Sequence, residues 1–151
     1  MLTSVQGHLK GYFYDPEPFS KEGGGYLRTS SKEYNLVAGK LKNNLIHLTN
    51  DAVQKKAEDY GKHEIGNKIS FKEYQQYLCE TFPSLGIDFQ RDIFSSQIKR
   101  IVTDTFRATS GLIDPLNRMH SFEIFGYDFM LDEDFQVCLI EVNTNPCIET
   151  A

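Results

Sequence analysis

Two carboxylates and an amide near the end of the sequence are the side chains best spaced to do chemistry together. Asp128 lies in one apolar run, and Glu141 and Asn143 lie in the next. The acids at 132–134 separate the runs and predict the turn of a β-hairpin. A two-residue or a four-residue loop there gives one register, with Asp128 opposite Leu139 and diagonal to Glu141, about 7–8 Å away at the backbone. Strand alternation then directs three oxygen ligands to one face, a set that suits Mg²⁺.

The two acids also have a simpler interpretation, as a structural ion pair. Asp128 and Glu141 interrupt apolar runs, in which an unpaired charge would be costly. Each therefore needs a partner, which is either a metal ion or an opposite charge. The residue types favour a metal or active-site role and leave the ion pair open.

The elements that must position these side chains follow from the apolar pattern and the capping residues. Residues 1–5 and 8–14 are predicted to be paired strands. Residues 70–73 form a capping box, which predicts a helix that runs to about Phe82. Apolar side chains at helical spacing predict that the longest helix spans about 88–109. Helices between an early strand region and a late hairpin indicate an α+β fold.

Charge is unevenly distributed along the chain, which has 151 residues and a net charge of −5. Between Arg28 and Lys72 there are nine Lys and Arg against five Asp and Glu, a net charge of +4. From Asp114 onwards eight acids oppose only Arg118, a net charge of −7. This distribution fits a protein that attracts an anionic substrate and also holds a cation. The alternative for individual lysines is simple solvation of a helix face.

The composition indicates a folded protein without a membrane or secretory segment. A hydrophobic content of 40% supports a packed core, no apolar run approaches the length of a bilayer-spanning helix, and the first residues do not resemble a secretory signal. Cys79, Cys138 and Cys147 lack zinc-ligand spacing and are predicted to be reduced thiols packed as small hydrophobic side chains. We therefore expect a cytoplasmic location, with no nucleic-acid and no membrane partner.

Five short motifs follow one another in a pattern that is specific only when they are taken together. They are YLRTSSKEY at 26–34, HLTN at 47–50, YGKHEIGN at 60–67 followed by the helical residues 71–78, SFEIFGYDFM at 121–130, and LIEVN at 139–143. In this order they resemble the tubulin tyrosine ligase family, across nearly the whole chain. The resemblance implies an ATP-grasp fold.

The resemblance also sets an expectation for domain organisation. We expect an α+β chain that forms the C-terminal portion of an ATP-grasp-like domain, with an antiparallel sheet, a metal-binding hairpin and packed helices. Residues 1–151 are then a partial tubulin tyrosine ligase-like domain whose N-terminal nucleotide-binding part is missing.

The resemblance further assigns roles to four side chains. Asp128, Glu141 and Asn143 match the metal ligands of the family. Arg28 matches its substrate- and phosphate-facing arginine, which we expect to be catalytic. A guanidinium suits that task because its fork binds carboxylate or phosphate in a bidentate manner and stays charged. The alternative for Arg28 is a surface salt bridge.

Three further positions have two interpretations each. Thr49 and Asn50 match positions that contact ATP in the family, and either could equally cap a helix; the two roles are compatible. Lys68 falls near the position where glutamate-adding members carry a lysine that meets the incoming carboxylate, although residues 64–67 resemble the tyrosine-ligase branch. The alternative for Lys68 is a surface lysine beside a helix.

The activity that the resemblance implies is ATP-dependent ligation through an acyl phosphate. The expected cofactors are ATP and Mg²⁺, and the expected partners are tubulin, through its acidic C-terminal tail, and a free amino acid (tyrosine, glutamate or glycine). The expected location includes the cytoskeleton, with microtubules and cilia. We expect the chain alone to be inactive. The alternative function is a non-catalytic module that binds tubulin or microtubules.

Overall fold

The computed structural model describes residues 1–14, 25–37 and 42–146. Short strands and helices alternate along the chain. In chain order they are β1 (Leu2–Val5), β2 (His8–Gly11), β3 (Tyr26–Arg28), α1 (Asn44–His47), α2 (Asp51–Gln54), a 3₁₀ turn (Ile65–Asn67), β4 (Lys68–Ser70), α3 (Phe71–Thr81), a second 3₁₀ turn (Pro83–Leu85), a π-helical segment (Phe89–Ile98), α4 (Lys99–Ile113), β5 (His120–Glu123), β6 (Gly126–Leu131) and β7 (Val137–Asn143).

The chain divides into two compact units. The first unit comprises Met1–Tyr14 with Asp88–Ala151, and the second unit is Asp15–Ile87. Among the described residues every strand pair is antiparallel: β2, β1 and β5 form one sheet, β3 and β4 a second, and β6 and β7 a third. The α+β class with antiparallel sheets is thus confirmed. The assignment of 1–151 to part of an ATP-grasp-like domain stays a prediction.

The predicted pairing of the first two strands is confirmed. Val5 pairs with His8 across a two-residue turn. Both turn residues, Gln6 and Gly7, have positive φ (51° and 80°), which is the condition for the turn type that matches strand twist. β2 ends at Gly11, earlier than predicted.

The longest helix begins where predicted, and its first part is π-helical. Asp88 caps it, because its side chain accepts a bond from the backbone N–H three residues on. The N–H of Lys99 donates to the carbonyl of Phe94, an i→i−5 bond that marks the wider turns. Phe89 and Ile93 are the most buried apolar side chains of the segment, at 2% and 1% exposed. The helix then continues through α4, past its predicted end.

Helix α3 of the second unit begins at the predicted capping box. The Ser70 hydroxyl accepts from the N–H of Glu73, and the Glu73 carboxylate accepts from the N–H of Ser70 at 2.9 Å. Leu78 anchors the helix at 1% exposed. The last helical residue is Thr81 and the C-cap is Phe82, so the helix ends within one residue of the predicted end. Since β4 runs directly into α3, the same capping box fixes the end of β4.

Two expectations concern cysteines and membranes. Cys79 and Cys138 are free but exposed, so the prediction that they pack as small hydrophobic side chains is wrong. The neighbouring Leu78 takes the buried position on α3, and Val137 takes the packed side of β7. Cys147 lies outside the described residues. None of the helices in the described ranges has the length and apolar character that a membrane crossing requires.

Candidate functional site

The β6–β7 hairpin brings the two predicted acidic ligands together, in a register that differs from the prediction. Asp128 lies directly opposite Glu141 and not opposite Leu139. Two features cause the difference. Five residues (132–136) join the strands, and the pairing shifts between Leu139 and Glu141, where Ile140 is an extra residue in a β-bulge.

The bulge decides which face Glu141 occupies. In a regular ladder Ile140 would pair with Asp128, and Glu141 would share the face of the half-buried Tyr127. In the observed register Asp128, Glu141 and Asn143 share one face, and all three are exposed. The interpretation that these acids interrupt a buried apolar run is therefore wrong. Alternation sends them to the open face, where a charge needs no buried partner.

Asn143 joins the two acids through its side-chain amide. Its Nδ2 donates to Oδ2 of Asp128 at 3.2 Å and to Oε1 of Glu141 at 3.3 Å. The partial positive charge of the amide thus stands between two carboxylates that repel each other. The three predicted metal ligands converge on one point of the hairpin.

The donor set of this hairpin fits a hard divalent cation. Two carboxylates offer only oxygen ligands, and rotation of the Asn143 amide about its last side-chain bond presents a third oxygen. Within the described ranges no group of three or more His, Cys, Asp or Glu side chains is arranged to hold a metal ion. The hairpin cluster has two such acids, and its third member is an amide. Mg²⁺ binding here stays a prediction.

The long helix of the first unit holds the other face of the hairpin. Gln97 donates from Nε2 to the carbonyl of Phe135 at 3.0 Å and accepts at Oε1 from the N–H of Val137 at 2.9 Å. The ring of Phe106 meets that of Tyr127 edge-on, with centroids 5.8 Å apart. The face that bears Tyr127 therefore packs on the helix, whereas the face that bears Asp128 and Glu141 is accessible to a ligand.

In the second unit, Arg28 and Lys68 form a directly opposed pair across the β3–β4 ladder. Both cations lie over the ring of Tyr26, with Arg28 Cζ 5.2 Å and Lys68 Nζ 5.0 Å from its centroid. Arg28 also donates to the Tyr26 hydroxyl at 3.2 Å. Like charges directly opposite each other destabilise a sheet, and the cation–π contacts offset part of that repulsion. No ion pair to Arg28 is formed within the described part of the chain, so the salt-bridge alternative finds no partner there.

The predicted nucleotide contacts lie at the start of α2. Asn50 caps this helix, since its Oδ1 accepts from the N–H of Ala52 at 2.9 Å. The capping role is therefore confirmed for Asn50. Thr49, directly before it, is half-buried. Contact of either residue with ATP stays a prediction.

Asp51 connects this helix start to its surroundings. It accepts from the Tyr60 hydroxyl at 2.6 Å and pairs with Lys55 at 2.7 Å. These hydrogen bonds, first that of Lys55 and then that of Tyr60, hold the pKa of Asp51 below its usual value, and the charge of Arg28 contributes. The carboxylate thus stays ionised near Arg28 without neutralising it directly.

The sequence did not predict the role of Gln54, whose side chain holds the segment after Arg28 in place. Gln54 is 0% exposed. Its Oε1 accepts from the N–H of Ser31 at 2.8 Å, and its Nε2 donates to the carbonyls of Leu45 at 3.2 Å and Leu48 at 2.5 Å. Gln54 is the last residue of the four-residue helix α2, and no sequence pattern there marks it as buried. Asn67 has a similar role, and there the Gly-Asn turn signal was available.

The predicted site residues lie in three places. The first unit holds Asp128, Glu141 and Asn143, and hydrogen bonds join all three. The second unit holds Arg28 and Lys68 as neighbours on β3 and β4. The remaining two, Thr49 and Asn50, are at the start of α2.

Comparison with known proteins identifies the family. Residues 4–151 match the model of the tubulin-tyrosine ligase family. Tubulin glycylase 3B of Tetrahymena thermophila is 33% identical over 124 residues, which cover 82% of this chain and 10% of the relative. The probable alpha-tubulin polyglutamylase Ttll1 of the same organism is 31% identical over 124 residues, covering 82% of this chain and 28% of the relative.

A third relative comes from an animal. Tubulin polyglutamylase ttll-4 of Caenorhabditis elegans is 30% identical over 148 residues, covering 94% of this chain and 22% of the relative. The chain thus spans between 10% and 28% of the length of these relatives. The family match nevertheless extends over almost all of its own residues, and on that basis the chain belongs to the tubulin-tyrosine ligase family.

Proposed function

We propose that this protein is an ATP-dependent ligase that joins an amino acid to tubulin through an acyl phosphate. Its relatives include a tubulin glycylase and tubulin polyglutamylases. The observation that carries the proposal is the convergence of Asp128, Glu141 and Asn143 on the open face of the hairpin. Oxygen ligands in this arrangement suit the cation that accompanies ATP.

The proposed reaction has two steps. A carboxylate oxygen of tubulin attacks the γ-phosphorus of ATP, and ADP leaves. The amine of the amino acid then attacks the acyl carbon, phosphate leaves and the amine loses a proton, which gives an amide or isopeptide bond. Mg²⁺, when held by the hairpin, would supply Lewis-acid stabilisation of the phosphate oxygens. The side chains of the protein contribute mainly by holding and orienting the reactants.

In this proposal Arg28 and Lys68 hold the anionic groups of the reactants. Arg28 offers a planar fork that matches a carboxylate or phosphate, and Lys68 offers a compact charge directly opposite. An anion between them would replace their repulsion with attraction. Tyr26 orients both cations from the same face of the ladder.

Thr49 and Asn50 are proposed to contact ATP. The side-chain oxygen of Asn50 is used in the helix cap, so its amide NH₂ is the group that it can offer as a donor. Thr49 offers a hydroxyl. Both are close in sequence to Asp51, whose carboxylate Tyr60 and Lys55 hold in place.

The names of the relatives make glycine and glutamate the first donors to test, with tyrosine as the third. Glutamate adds a second carboxylate, for which Lys68 is the candidate partner. With tubulin as substrate, the protein would act in the cytoplasm at microtubules, including those of cilia.

The proposal is tested with purified full-length protein, tubulin, Mg-ATP and each amino acid in turn. Mass spectrometry of tubulin should show the added residue. With hydroxylamine in place of the amino acid, the acyl phosphate should be trapped as a hydroxamate. Glu141→Gln should abolish both products, whereas Glu133→Gln, an exposed acid in the hairpin turn, should retain them. Binding to microtubules without any added mass would overturn the ligase proposal in favour of a binding module.

A further inference from the structure

Asn67 lies directly before Lys68 and connects three segments of the second unit. It is 4% exposed. Its Nδ2 donates to the carbonyl of Thr29 at 3.2 Å and to Oγ of Ser31 at 2.8 Å, and its Oδ1 accepts from the N–H of Gly61 at 2.8 Å. Its own carbonyl accepts from the N–H of Thr29 at 3.0 Å. A single buried side chain thus joins the residues after Arg28 to those before Lys68.

The backbone of Asn67 is itself in an uncommon conformation. Its φ is 50°, and the preceding Gly66 has a φ of 66°. A side chain in this left-handed region costs free energy, although Asn tolerates it better than most residues. Glycine would fit the backbone with less strain. The amide side chain is therefore present at a position where the backbone alone would favour glycine.

The position of Asn67 matters because the ladder beside it is short and bears repelling charges. β3 and β4 share three residue pairs, and the pair next to Asn67 is Arg28 with Lys68. Repulsion at the end of a short ladder favours separation of the strands. Three hydrogen bonds of Asn67, to the carbonyl and N–H of Thr29 and to Ser31, hold the segment just after β3 against the start of β4. The bond from Gly61 ties a third segment to the same side chain. Gln54 adds a second constraint on the same segment through Ser31.

We infer that Asn67 is a positioning residue, which keeps Arg28 and Lys68 at one distance and orientation for the anion that they bind. The inference rests on the proposed function. It assigns Asn67 no contact with substrate. It predicts that loss of the amide lowers turnover through Arg28 and Lys68, because small misplacements of catalytic groups slow a reaction strongly.

Asn67→Gly is the decisive variant, because it removes the amide and relieves the backbone strain at the same time. We expect kcat for amino-acid transfer to fall by about 10- to 100-fold, with a smaller change in KM. Tm should fall only modestly, because the relief of backbone strain offsets part of the cost of the three lost hydrogen bonds. Asn117→Gly is the matched control. Asn117 also has positive φ (45°) but is exposed and belongs to the first unit. The kcat of the Asn117→Gly variant should therefore equal that of the unsubstituted protein.

A double-mutant cycle separates positioning from general stability. Arg28→Lys keeps the charge, loses the fork and should reduce kcat by about 100-fold. If Asn67 acts through Arg28, the double variant should be little slower than Arg28→Lys alone. Losses that multiply would overturn the inference.

Folding failure has a defined meaning in this experiment. Should Asn67→Gly not fold, Asn67→Asp replaces it, since aspartate keeps the acceptor for Gly61 and loses both donors. Failure of both variants to fold would make Asn67 a determinant of stability alone and would overturn the inference. Absence of transfer by the unsubstituted protein would instead overturn the proposed function, so the two failures are distinguishable.

Discussion

The acidic hairpin (β6–β7) and the basic ladder (β3–β4) both contain a pair of repelling like charges, and a different kind of neutral group contacts each pair. Each places two like charges directly opposite one another, Asp128 with Glu141 and Arg28 with Lys68. Each also places a neutral group against that pair: the amide of Asn143 in the hairpin, and the ring of Tyr26 in the ladder. A pair that repels itself and is only partly compensated is prepared to bind a ligand of opposite charge.

The two regions differ in how they are supported. The acidic pair lies on an exposed face, and the other face of the hairpin contacts the helix through Gln97 and Tyr127. The basic pair is held by a buried polar network in which Gln54 and Asn67 are 0% and 4% exposed. Buried hydrogen-bonding groups that lose a partner are costly, and exposed ones are not. We therefore expect substitutions in the acidic hairpin to lower activity without lowering stability. Substitutions in the buried network of the basic ladder should lower both.

The largest effect is expected for Asp128→Asn in the acidic hairpin. Transfer of the amino acid to tubulin should fall below detection at ordinary Mg²⁺ concentration and recover in part at high Mg²⁺, because one charged ligand is lost and affinity falls. Tm should stay the same or rise, since a repulsion is removed. The control is Asp134→Asn in the exposed turn, which should ligate normally. A decrease in Tm that matches the loss of activity would contradict the comparison.

An intermediate effect is expected for Gln54→Leu in the network below the basic ladder. The change leaves the Ser31 N–H and the carbonyls of Leu45 and Leu48 without their partner. Unfolding of the second unit should become easier by about 2–4 kcal/mol. Hydrogen exchange at the Ser31 amide measures this directly. The exposed Gln76→Leu on α3 is the control, and equal protection in both variants would refute the proposed role of the network.

The smallest effect is expected for Asp51→Asn beside the basic ladder. Lys55 and Tyr60 lower the pKa of Asp51 in the folded protein, so its contribution to stability is present above the unfolded pKa of about 3.8. That contribution is lost as the pH falls through the folded pKa. The variant should therefore have a slightly lower Tm at pH 7 and an equal Tm once Asp51 is protonated. An equal deficit at pH 7 and in strong acid would show that the charge of Asp51 is not the cause.

Local signals in the sequence predicted the elements better than the contacts between them. The capping box at Ser70 acts within one turn of chain, and the apolar spacing after Asp88 repeats over neighbouring turns; both helices begin where these local patterns predict. The three candidate metal ligands were also correctly grouped on one hairpin. Their register was not predicted, because it depends on a five-residue connection (132–136) and on the bulge at Ile140, and neither has a signature in the alternation of side chains.

Buried polar side chains were the other omission. Gln54 and Asn67 have the residue types of an exposed surface, and their burial depends on carbonyl and N–H groups that come from distant segments. The helical or strand periodicity of a sequence carries no information about such hydrogen-bond partners. Arg28 and Lys68 were each predicted as site residues, but their direct opposition required knowledge of the β3–β4 pairing.

The bulge at Ile140 makes the length of β7 adjustable at one point. Asp128 is the fourth residue before the turn, whereas Glu141 is the fifth residue after it, counted from the closing pair Leu131 and Val137. Deletion of Ile140 would make the two counts equal, and Asp128 and Glu141 would still pair in a ladder without a bulge. A single-residue deletion in β6 would instead increase the mismatch. Natural variation in length should therefore be tolerated in β7 just before Glu141 and excluded from β6 after Asp128.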